Sequence, residues 1–383
     1  MKSFLFIVFC AFLQGSCQSP MSHWTLLPHI LVVEVDGTLG QLPLSCLELP
    51  EELMGRDIKS RDIFWMKNGV METQRGNSYL VQLEESLGGG NYTCHREDGS
   101  LLNHTVVLIQ EDETKRRKIL VKADPEDYLK CSAQNYNGAF HCSWTWHSMR
   151  VGKVAFIKAR RASDDSVTRC SVDASGQHWT CSSRQSNFIC SVDDSGHKIQ
   201  CVDKRHCPYA EESLWIHINL YVRTEHFLVE NYSKTFFLSE IVKPDTVRIR
   251  KVNTTMIKWS YPSSWSSPFS YFPLTFQIAQ LKGPCKSCAN PCTDSKAANI
   301  LTVSPDICQF QVKRKTKTVC VRAKDALCNS QWSEWSHFRS GCTLIRGTVA
   351  NSVQPLILRF PFHRAHVVHL HSCRFLLCFL WSR

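Results

Sequence analysis

The tryptophan repeat Trp-Ser-Glu-Trp-Ser at positions 332–336 constrains this chain more than any other feature. Two indole rings at this spacing can lie on one face of a twisted strand, where each ring has room for a cationic side chain against it. The strand-like stretch just before the repeat alternates in a way that places Arg322 and Lys324 on one face. The sequence therefore predicts a ladder in which Arg322 stacks on Trp332 and Trp335. The alternative, that both rings only fill a hydrophobic core, is less favoured because the serines and the glutamate of the repeat are residue types that are rarely buried in a core.

A second motif precedes the repeat by more than one domain length. Cys131 and Cys142 are followed by Trp144 in the pattern Cys-x10-Cys-x-Trp, and a proline-marked joint at 243–245 separates this region from the repeat. The two motifs resemble those of the class I cytokine-receptor family. The resemblance implies an all-β module of two fibronectin type III sandwiches, the first at 113–242 and the second at 243–342 with the tryptophan repeat.

The start of the chain and its cysteine content predict a secreted, extracellular protein. A lysine at position 2, an apolar run and small residues up to position 17 have the order of a secretory signal peptide. Its apolar core is about half as long as a membrane-spanning helix, which takes about 20 residues. The chain has 20 cysteines, far more than are usual in a protein whose thiols stay reduced, and this number indicates disulfides and an oxidising compartment. We expect N-glycans on four acceptor sequons, at Asn91, Asn103, Asn231 and Asn253.

The segment 18–112 has the marks of an immunoglobulin-like sandwich. Cys46 and Cys94 have the separation of the disulfide that crosses such a sandwich, and Trp65 lies at the position of the tryptophan that packs on it. Tyr92 stands two residues before the second cysteine, where a tyrosine hydroxyl fixes the nearby corner of the chain. We expect an immunoglobulin-like domain with a Cys46–Cys94 bond.

The other cysteines divide into expected pairs and a surplus. In the second domain the favoured disulfide pairs are Cys131–Cys142, Cys170–Cys201 and Cys181–Cys190. Cys207 is left over, which in a secreted protein indicates either an intermolecular disulfide or a free thiol. In the third domain the favoured pair is Cys308–Cys342. The surplus consists of Cys285, Cys288, Cys292, Cys320 and Cys328. The Cys-x2-Cys-x3-Cys spacing of the first three could indicate a zinc or iron–sulfur site, but loop disulfides are favoured in an oxidising compartment.

Nothing in the sequence predicts catalysis, a cofactor or a metal site. The chain has no Gly-x-Ser-x-Gly elbow, no His-Glu-x-x-His pair and no phosphate-binding glycine loop, so we expect a binding protein and no enzyme. The net charge of +11 and the basic runs at 115–118 and 313–317 have two interpretations. Solvated strand edges and turns are favoured over a site for sulfated glycosaminoglycans such as heparan sulfate. Nucleic acid is not expected, because no aromatic residues are interleaved with the basic runs.

The last segment, 343–383, has no pattern of a folded domain. Its apolar stretch at 375–381 is far shorter than a bilayer-spanning helix, so no membrane anchor is expected there. We expect a disordered tail or an unusual end to the reading frame.

The order of the domains makes the family resemblance more specific. An immunoglobulin-like domain followed by one cytokine-receptor module resembles the receptor-like beta subunits of heterodimeric cytokines of the interleukin-12 and interleukin-23 type. Local strings that carry the likeness include Cys207-Pro208, Glu230-Asn231-Tyr232 and the joint at 241–245. The resemblance implies a four-helix-bundle alpha subunit held at the elbow of the second and third domains. It also implies a cell-surface receptor chain that contacts the immunoglobulin-like domain.

The resemblance also implies which residues hold the alpha subunit. The family pocket falls on the aromatic residues Tyr136, Tyr271 and Phe272 and on the acidic residues Glu211 and Asp325. Aromatic walls around a carboxylate can hold an arginine, whose guanidinium pairs with the acid and stacks on the rings. Cys207 matches the intersubunit disulfide cysteine of that family. The chain departs from the family pattern at Gln277, where the family has a cysteine, and at Ala326-Leu327, which lack an aromatic residue.

Two other functions are compatible with the same domains. A soluble cytokine-receptor alpha chain would bind a separate helical cytokine reversibly. An extracellular adhesion or heparan-sulfate-binding protein would use the sandwiches as spacers, but it has no use for a tryptophan repeat beside an aromatic and acidic elbow. A disulfide from Cys207 to another chain would distinguish the cytokine subunit from the receptor chain.

Overall fold

The computed structural model describes residues 22–339 with gaps. The gaps are 38, 49–62, 84–86, 113, 115–116, 163–166, 174–177, 183–186, 207–213, 254, 267–269, 271, 283–298 and 304–306. The described residues form an all-β protein whose one described helix, α1, spans Leu238–Ile241. They divide into two compact units: the first holds the described residues up to Ile241 other than 134–137, and the second holds residues 134–137 and the described residues from Val242 onward. In the part of the chain that the structure describes, no helix is long and apolar enough to cross a membrane.

The first unit begins with an immunoglobulin-like sandwich. Its strands are β1 (His23–Leu27), β2 (Ile30–Val35), β3 (Gly40–Ser45), β4 (Ile63–Lys67), β5 (Val70–Arg75), β6 (Ser78–Leu83), β7 (Gly90–Arg96) and β8 (Leu101–Glu111). One sheet has the order β1-β2-β8-β7-β4-β5, and the other pairs β3 with β6. All of these neighbours are antiparallel except β2 and β8.

The expected immunoglobulin marks meet in the core of this sandwich. Cys46 and Cys94 form a disulfide, and the buried Trp65 lies in the same apolar cluster as both cysteines. The hydroxyl of Tyr92 donates to the carbonyl oxygen of Gly88 at 2.9 Å. A tyrosine corner is thus present as the sequence predicts.

The first unit continues with a fibronectin type III-like region. Its strands are β9 (Leu120–Val121), β10 (Lys130–Ser132), β11 (Ala139–Ser143), β12 (Thr145–Trp146), β13 (Gly152–Arg161), β14 (Thr168–Val172), β15 (Trp179–Cys181), β16 (Phe188–Val192), β17 (Lys198–Asp203), β18 (Ile216–Thr224) and β19 (Val229–Phe236). The sheets have the orders β10-β11-β17-β16, β15-β14-β13-β18-β19 and β12-β9.

Three disulfides staple adjacent strands of this region. Cys131 bonds to Cys142, as expected, because the two residues lie directly opposite each other on β10 and β11. The expected pairs Cys170–Cys201 and Cys181–Cys190 are wrong. Instead Cys170 bonds to Cys181 and Cys190 bonds to Cys201. The reason is the register: β14–β15 and β16–β17 are antiparallel pairs that place these cysteines opposite each other, within disulfide reach.

The immunoglobulin-like and fibronectin-like parts of the first unit share an apolar cluster. Val32 and Leu108 of the first pack with Phe156, Tyr221 and Val229 of the second, all of them buried. The two parts also approach closely at Gly89, where an added Cβ atom would lie 2.6 Å from the Cβ of Phe227. Such tight apolar packing holds the two parts together as one body.

The second unit holds the remaining strands. They are β20 (Arg248–Lys251), β21 (Met256–Ser260), β22 (Leu274–Leu281), β23 (Asn299–Val303), β24 (Gln309–Gln311), β25 (Thr318–Asp325) and β26 (Ser336–Arg339). They form two sheets, β20-β21-β24 and β23-β22-β25-β26. β22 and β25 are buried along most of their length, and each is paired with a neighbouring strand along both of its edges. This unit carries the tryptophan repeat.

Candidate functional site

The tryptophan repeat forms the predicted ladder. The guanidinium carbon of Arg322 lies 4.8 Å from the ring centroid of Trp332 and 4.5 Å from that of Trp335. Lys324, two residues further along β25, places its ammonium 5.2 Å from the Trp332 ring. The two rings differ in burial: Trp335 is 6% exposed and packs on Cys320, whereas Trp332 is only half-buried.

Neighbouring polar groups hold the ladder in place. Arg322 donates from Nε and Nη2 to Oε1 of Gln277 on the adjacent strand, at 2.9 and 2.7 Å. The backbone amide of Ser333 donates to the carbonyl of Ala323, and the Ser333 hydroxyl accepts from the Ala323 amide. Ser333 therefore bonds to the backbone of β25 through both its amide and its hydroxyl, which explains a serine between the two tryptophans.

A buried carboxylate lies at the end of β25. Asp325 is fully buried, and its Oδ2 accepts a hydrogen bond of 2.9 Å from the hydroxyl of Tyr136, which is equally buried. Its Oδ1 accepts from the backbone amides of Leu327 and Cys328 at 2.7 and 3.0 Å. Burial and the charge of Asp325 raise the pKa of Tyr136 far above its ordinary value, so the phenol stays protonated and donates.

Tyr136 lies in the segment 134–137, which packs with the second unit. Asn135 anchors the segment by donating from Nδ2 to the carbonyl of Ser264 at 2.9 Å. Trp265 packs edge-on against Tyr136, with ring centroids 5.8 Å apart, and donates from Nε1 to the carbonyl of Phe272. We name Tyr136, Trp265, Phe272 and Asp325 the acid–aromatic cluster.

The structure thus brings together three of the five residues expected to hold the alpha subunit. Tyr136 and Asp325 contact each other, and Phe272 is linked to them through Trp265. Glu211, Tyr271 and the cysteine Cys207 lie outside the described residues, as does Cys342 of the expected pair with Cys308. Trp265 was missed from the sequence, since it stands in a serine-rich turn with no periodic pattern to place it.

The four sequon asparagines occupy different settings. Asn91 and Asn253 are exposed, whereas Asn103 and Asn231 are half-buried in strands β8 and β19. Asn253 is one of the residues that line a basic groove of about 320 Å³ in the second unit, together with Lys251, Lys313, Arg314 and Lys315 among others. Among the described residues, no three His, Cys, Asp or Glu side chains cluster as metal ligands would.

An immunoglobulin-like sandwich, fibronectin-like sheets and a cation ladder on a Trp-Ser-x-Trp-Ser repeat define an all-β protein with a cytokine-receptor-like fold. Comparison with known proteins is more specific. Residues 126–224 match a family model described as "Cytokine interleukin-12p40 C-terminus". The interleukin-12 subunit beta of Sigmodon hispidus is 30% identical over 333 residues, covering 82% of this chain and 92% of the relative.

Two further relatives carry the same name. The interleukin-12 subunit beta of Marmota monax is 31% identical over 330 residues, covering 82% of this chain and 91% of the relative. That of Homo sapiens is 28% identical over 333 residues, with coverages of 82% and 92%. The chain therefore belongs to the interleukin-12 subunit beta family. Members of this family are cytokine subunits and not enzymes.

Proposed function

We propose that this chain is the secreted beta subunit of a heterodimeric cytokine and that it binds a four-helix-bundle alpha subunit through the acid–aromatic cluster. The observation that supports this most is the environment of Asp325. Its carboxylate is fully buried and accepts hydrogen bonds from Tyr136 and two backbone amides, yet no basic side chain of the described residues forms an ion pair with it. A buried carboxylate of this kind favours a cation from a partner.

An arginine of the alpha subunit has the right chemistry for this cation. Its planar guanidinium can pair with the carboxylate of Asp325 and stack on aromatic rings such as Tyr136 and Trp265. Residues of this type, buried at the centre of an interface, carry most of the binding free energy in protein complexes. The cluster therefore serves as the anchor point of the subunit interface.

Two further contacts complete the proposal. Cys207 forms a disulfide with the alpha subunit, as its match to the family's intersubunit cysteine implies. The immunoglobulin-like domain contacts a cell-surface receptor chain, and its firm packing on the fibronectin-like part through Val32 and Leu108 supports a role as a rigid docking body. Four intrachain disulfides support an extracellular location.

Co-expression tests this function directly. The chain, tagged, is co-expressed in secreting cells with an interleukin-12-type alpha subunit from the same organism, and the medium is analysed by affinity capture and non-reducing electrophoresis. A stoichiometric species that reduction separates into two chains is expected. A chain that is secreted alone and captures the helical protein only reversibly would instead fit the soluble receptor.

A second candidate function is the binding of sulfated glycosaminoglycans such as heparan sulfate. The basic groove around Lys313, Arg314 and Lys315 supports it, since clustered cations attract polyanions. Replacing Arg314 and Lys315 by alanine should lower the salt concentration that elutes the chain from immobilised heparin. The exposed pair Lys153 and Arg160 on β13, replaced in the same way, is the matched control. Equal elution of both variants would contradict this function.

A further inference from the structure

Two glycosylation sequons lie on neighbouring strands of the immunoglobulin-like domain. Asn91 stands on β7 in Asn91-Tyr92-Thr93, and Asn103 stands on β8 in Asn103-His104-Thr105. As sequences, the two sites are equally good acceptors. Their side chains, however, lie on opposite faces of the sheet.

Asn103 faces the interior of the sandwich. It is directly opposite Cys94 in the antiparallel pair, and Cys94 is fully buried in the core. Residues directly opposite each other in such a pair point to the same face. The carboxamide of Asn103 accordingly donates from Nδ2 to the carbonyl of Cys46 at 3.0 Å, next to the Cys46–Cys94 disulfide. Its Oδ1 accepts the amide of His104 at 2.8 Å.

Asn91 faces outward. It alternates with the buried Gly90 and Tyr92, and its side chain is exposed. Its contacts with Asn68 use only the backbone of Asn91: the amide donates to Oδ1 of Asn68, and the carbonyl accepts from the Asn68 amide. Within the described residues the carboxamide of Asn91 makes no hydrogen bond, so Nδ2 is available.

We propose that secreted molecules carry an N-linked glycan on Asn91 and an unmodified Asn103. In the transfer, Nδ2 forms a bond to the first sugar carbon and loses a proton. The bond from that carbon to the phosphate of the lipid-pyrophosphate oligosaccharide donor breaks. Nδ2 of the half-buried Asn103 contacts the carbonyl of Cys46, so a sugar bonded to this nitrogen would displace the close packing beside the Cys46–Cys94 disulfide. A chain modified there cannot close this part of the domain and is lost before secretion.

The consequence concerns the surface of the immunoglobulin-like domain. The outer face of β7 around Asn91 presents carbohydrate in the secreted protein, and Thr93 on the same face lies under it. Asn103 has a structural role instead, because its side chain on β8 donates a hydrogen bond to the carbonyl of Cys46, one of the two disulfide cysteines. This inference depends on the secretory route and not on any partner of the chain.

Site-specific mass spectrometry tests the inference on the secreted full-length chain. The protein is reduced, alkylated and digested with trypsin, which cuts after Arg96 and so separates the peptide 76–96 from the peptide 97–115. Release of glycans by peptide-N-glycosidase in H₂¹⁸O labels each formerly glycosylated asparagine as aspartate. We expect the label at Asn91 and native asparagine at Asn103. Label at Asn103 in most molecules, or native asparagine at Asn91, would overturn the proposal.

Matched variants provide a second readout. Asn91→Gln should remove the mass of one glycan and leave the thermal midpoint unchanged. Asn103→Gln should leave the glycan mass unchanged and lower the midpoint, because the bond to Cys46 is lost. Thr105→Val destroys the second sequon without altering Asn103, and it should leave the glycan mass as in the parent. A loss of glycan mass in Thr105→Val would contradict the proposal even if Asn103→Gln fails to fold.

Discussion

Asp325 shows how one residue can be stabilised in place and still require a partner. Hydrogen bonds from Tyr136 and from two backbone amides satisfy both of its oxygens. They supply no full positive charge, so the carboxylate is stable only because the site is preorganised around it. The family resemblance predicts that Tyr136 and Asp325 share a pocket, but it does not predict their hydrogen bond, because the two residues lie 189 positions apart in sequence.

Tyr136→Phe tests this arrangement. The change removes the hydroxyl donor and leaves Oδ2 of a buried carboxylate without it, which should lower the free energy of unfolding by about 1–3 kcal/mol. Chemical denaturation of the secreted variant measures the effect. Tyr128→Phe is the control, because the Tyr128 ring contacts Tyr232 and lysines but its hydroxyl makes no described hydrogen bond. Equal stability of parent and Tyr136→Phe would show that the hydrogen bond contributes nothing.

Among the elements, the strand β25 and the repeat that follows it were predicted best. The period-two alternation of a strand predicts that Arg322 and Lys324 share one face of β25. The two large tryptophan rings at a fixed spacing are the natural partners of these cations, and the structure shows these contacts. The anchor Gln277 could not be predicted, because it depends on the register between β22 and β25. Periodicity indicates which face a residue occupies, but pairing between distant strands is decided by tertiary packing.

The two tryptophans of the repeat should differ in their contribution to stability. Trp335→Ala removes a buried ring from the core and should destabilise the second unit by about 3–5 kcal/mol, enough to reduce secretion strongly. Trp332→Ala removes a half-buried ring and two cation contacts, and its cost should be about 1–2 kcal/mol. Secreted yield and thermal unfolding measure both. If both variants fold normally but fail to bind the alpha subunit, the repeat is a contact surface and not a structural element.

The hairpins β14–β15 and β16–β17 show where reasoning from the sequence failed. Each hairpin disulfide spans the same sequence separation of 11 as the Cys131–Cys142 bond, a repeat that was visible in the sequence. The expected arrangement, with Cys181–Cys190 enclosed by Cys170–Cys201, is incompatible with two antiparallel hairpins that each place their own two cysteines opposite each other.

Peptide mapping checks the disulfides of these hairpins. Free thiols are blocked and the non-reduced protein is digested with trypsin, which cuts after Arg169, Arg184, Lys198 and Lys204. The structure predicts an internally bonded peptide 170–184 and a separate pair of linked peptides, 185–198 and 199–204. A single species that contains all three peptides would support the nested pairing and contradict the structure.

At the scale of the whole molecule, the sequence predicted the all-β class and the immunoglobulin-like domain, because a few large residues and one disulfide define that core. The folding of residues 134–137 into the second unit was not predictable, because nothing local distinguishes them from an ordinary hairpin loop. Only the family resemblance, and no local pattern, places Tyr136 in the same pocket as Asp325.

The covalent link to a partner can be tested by Cys207→Ser. In cells that co-express the alpha subunit, the variant should be secreted normally but should lose the disulfide-linked heterodimer in non-reducing electrophoresis. The bond is removed without disturbing any of the four intrachain disulfides of the described residues. A covalent heterodimer that persists would assign the link to another cysteine, among them the surplus set of the third domain.

The most direct test is the noncovalent affinity of the alpha subunit for Asp325→Asn, measured by surface plasmon resonance in a Cys207→Ser background. Asparagine keeps the Oδ1 acceptor for the amides of Leu327 and Cys328 and removes the charge, while its Nδ2 can donate to the Tyr136 oxygen in place of the hydrogen bond that Oδ2 accepts. If an arginine of the alpha subunit pairs with Asp325, loss of the carboxylate charge should weaken the binding free energy by about 2–5 kcal/mol, or roughly 30- to several-thousand-fold in Kd. Asp124→Asn, at an exposed carboxylate of the first unit, should leave Kd unchanged. An Asp325→Asn variant that is folded and binds within about twofold of the parent would contradict the central claim, because so small a change is below 1 kcal/mol.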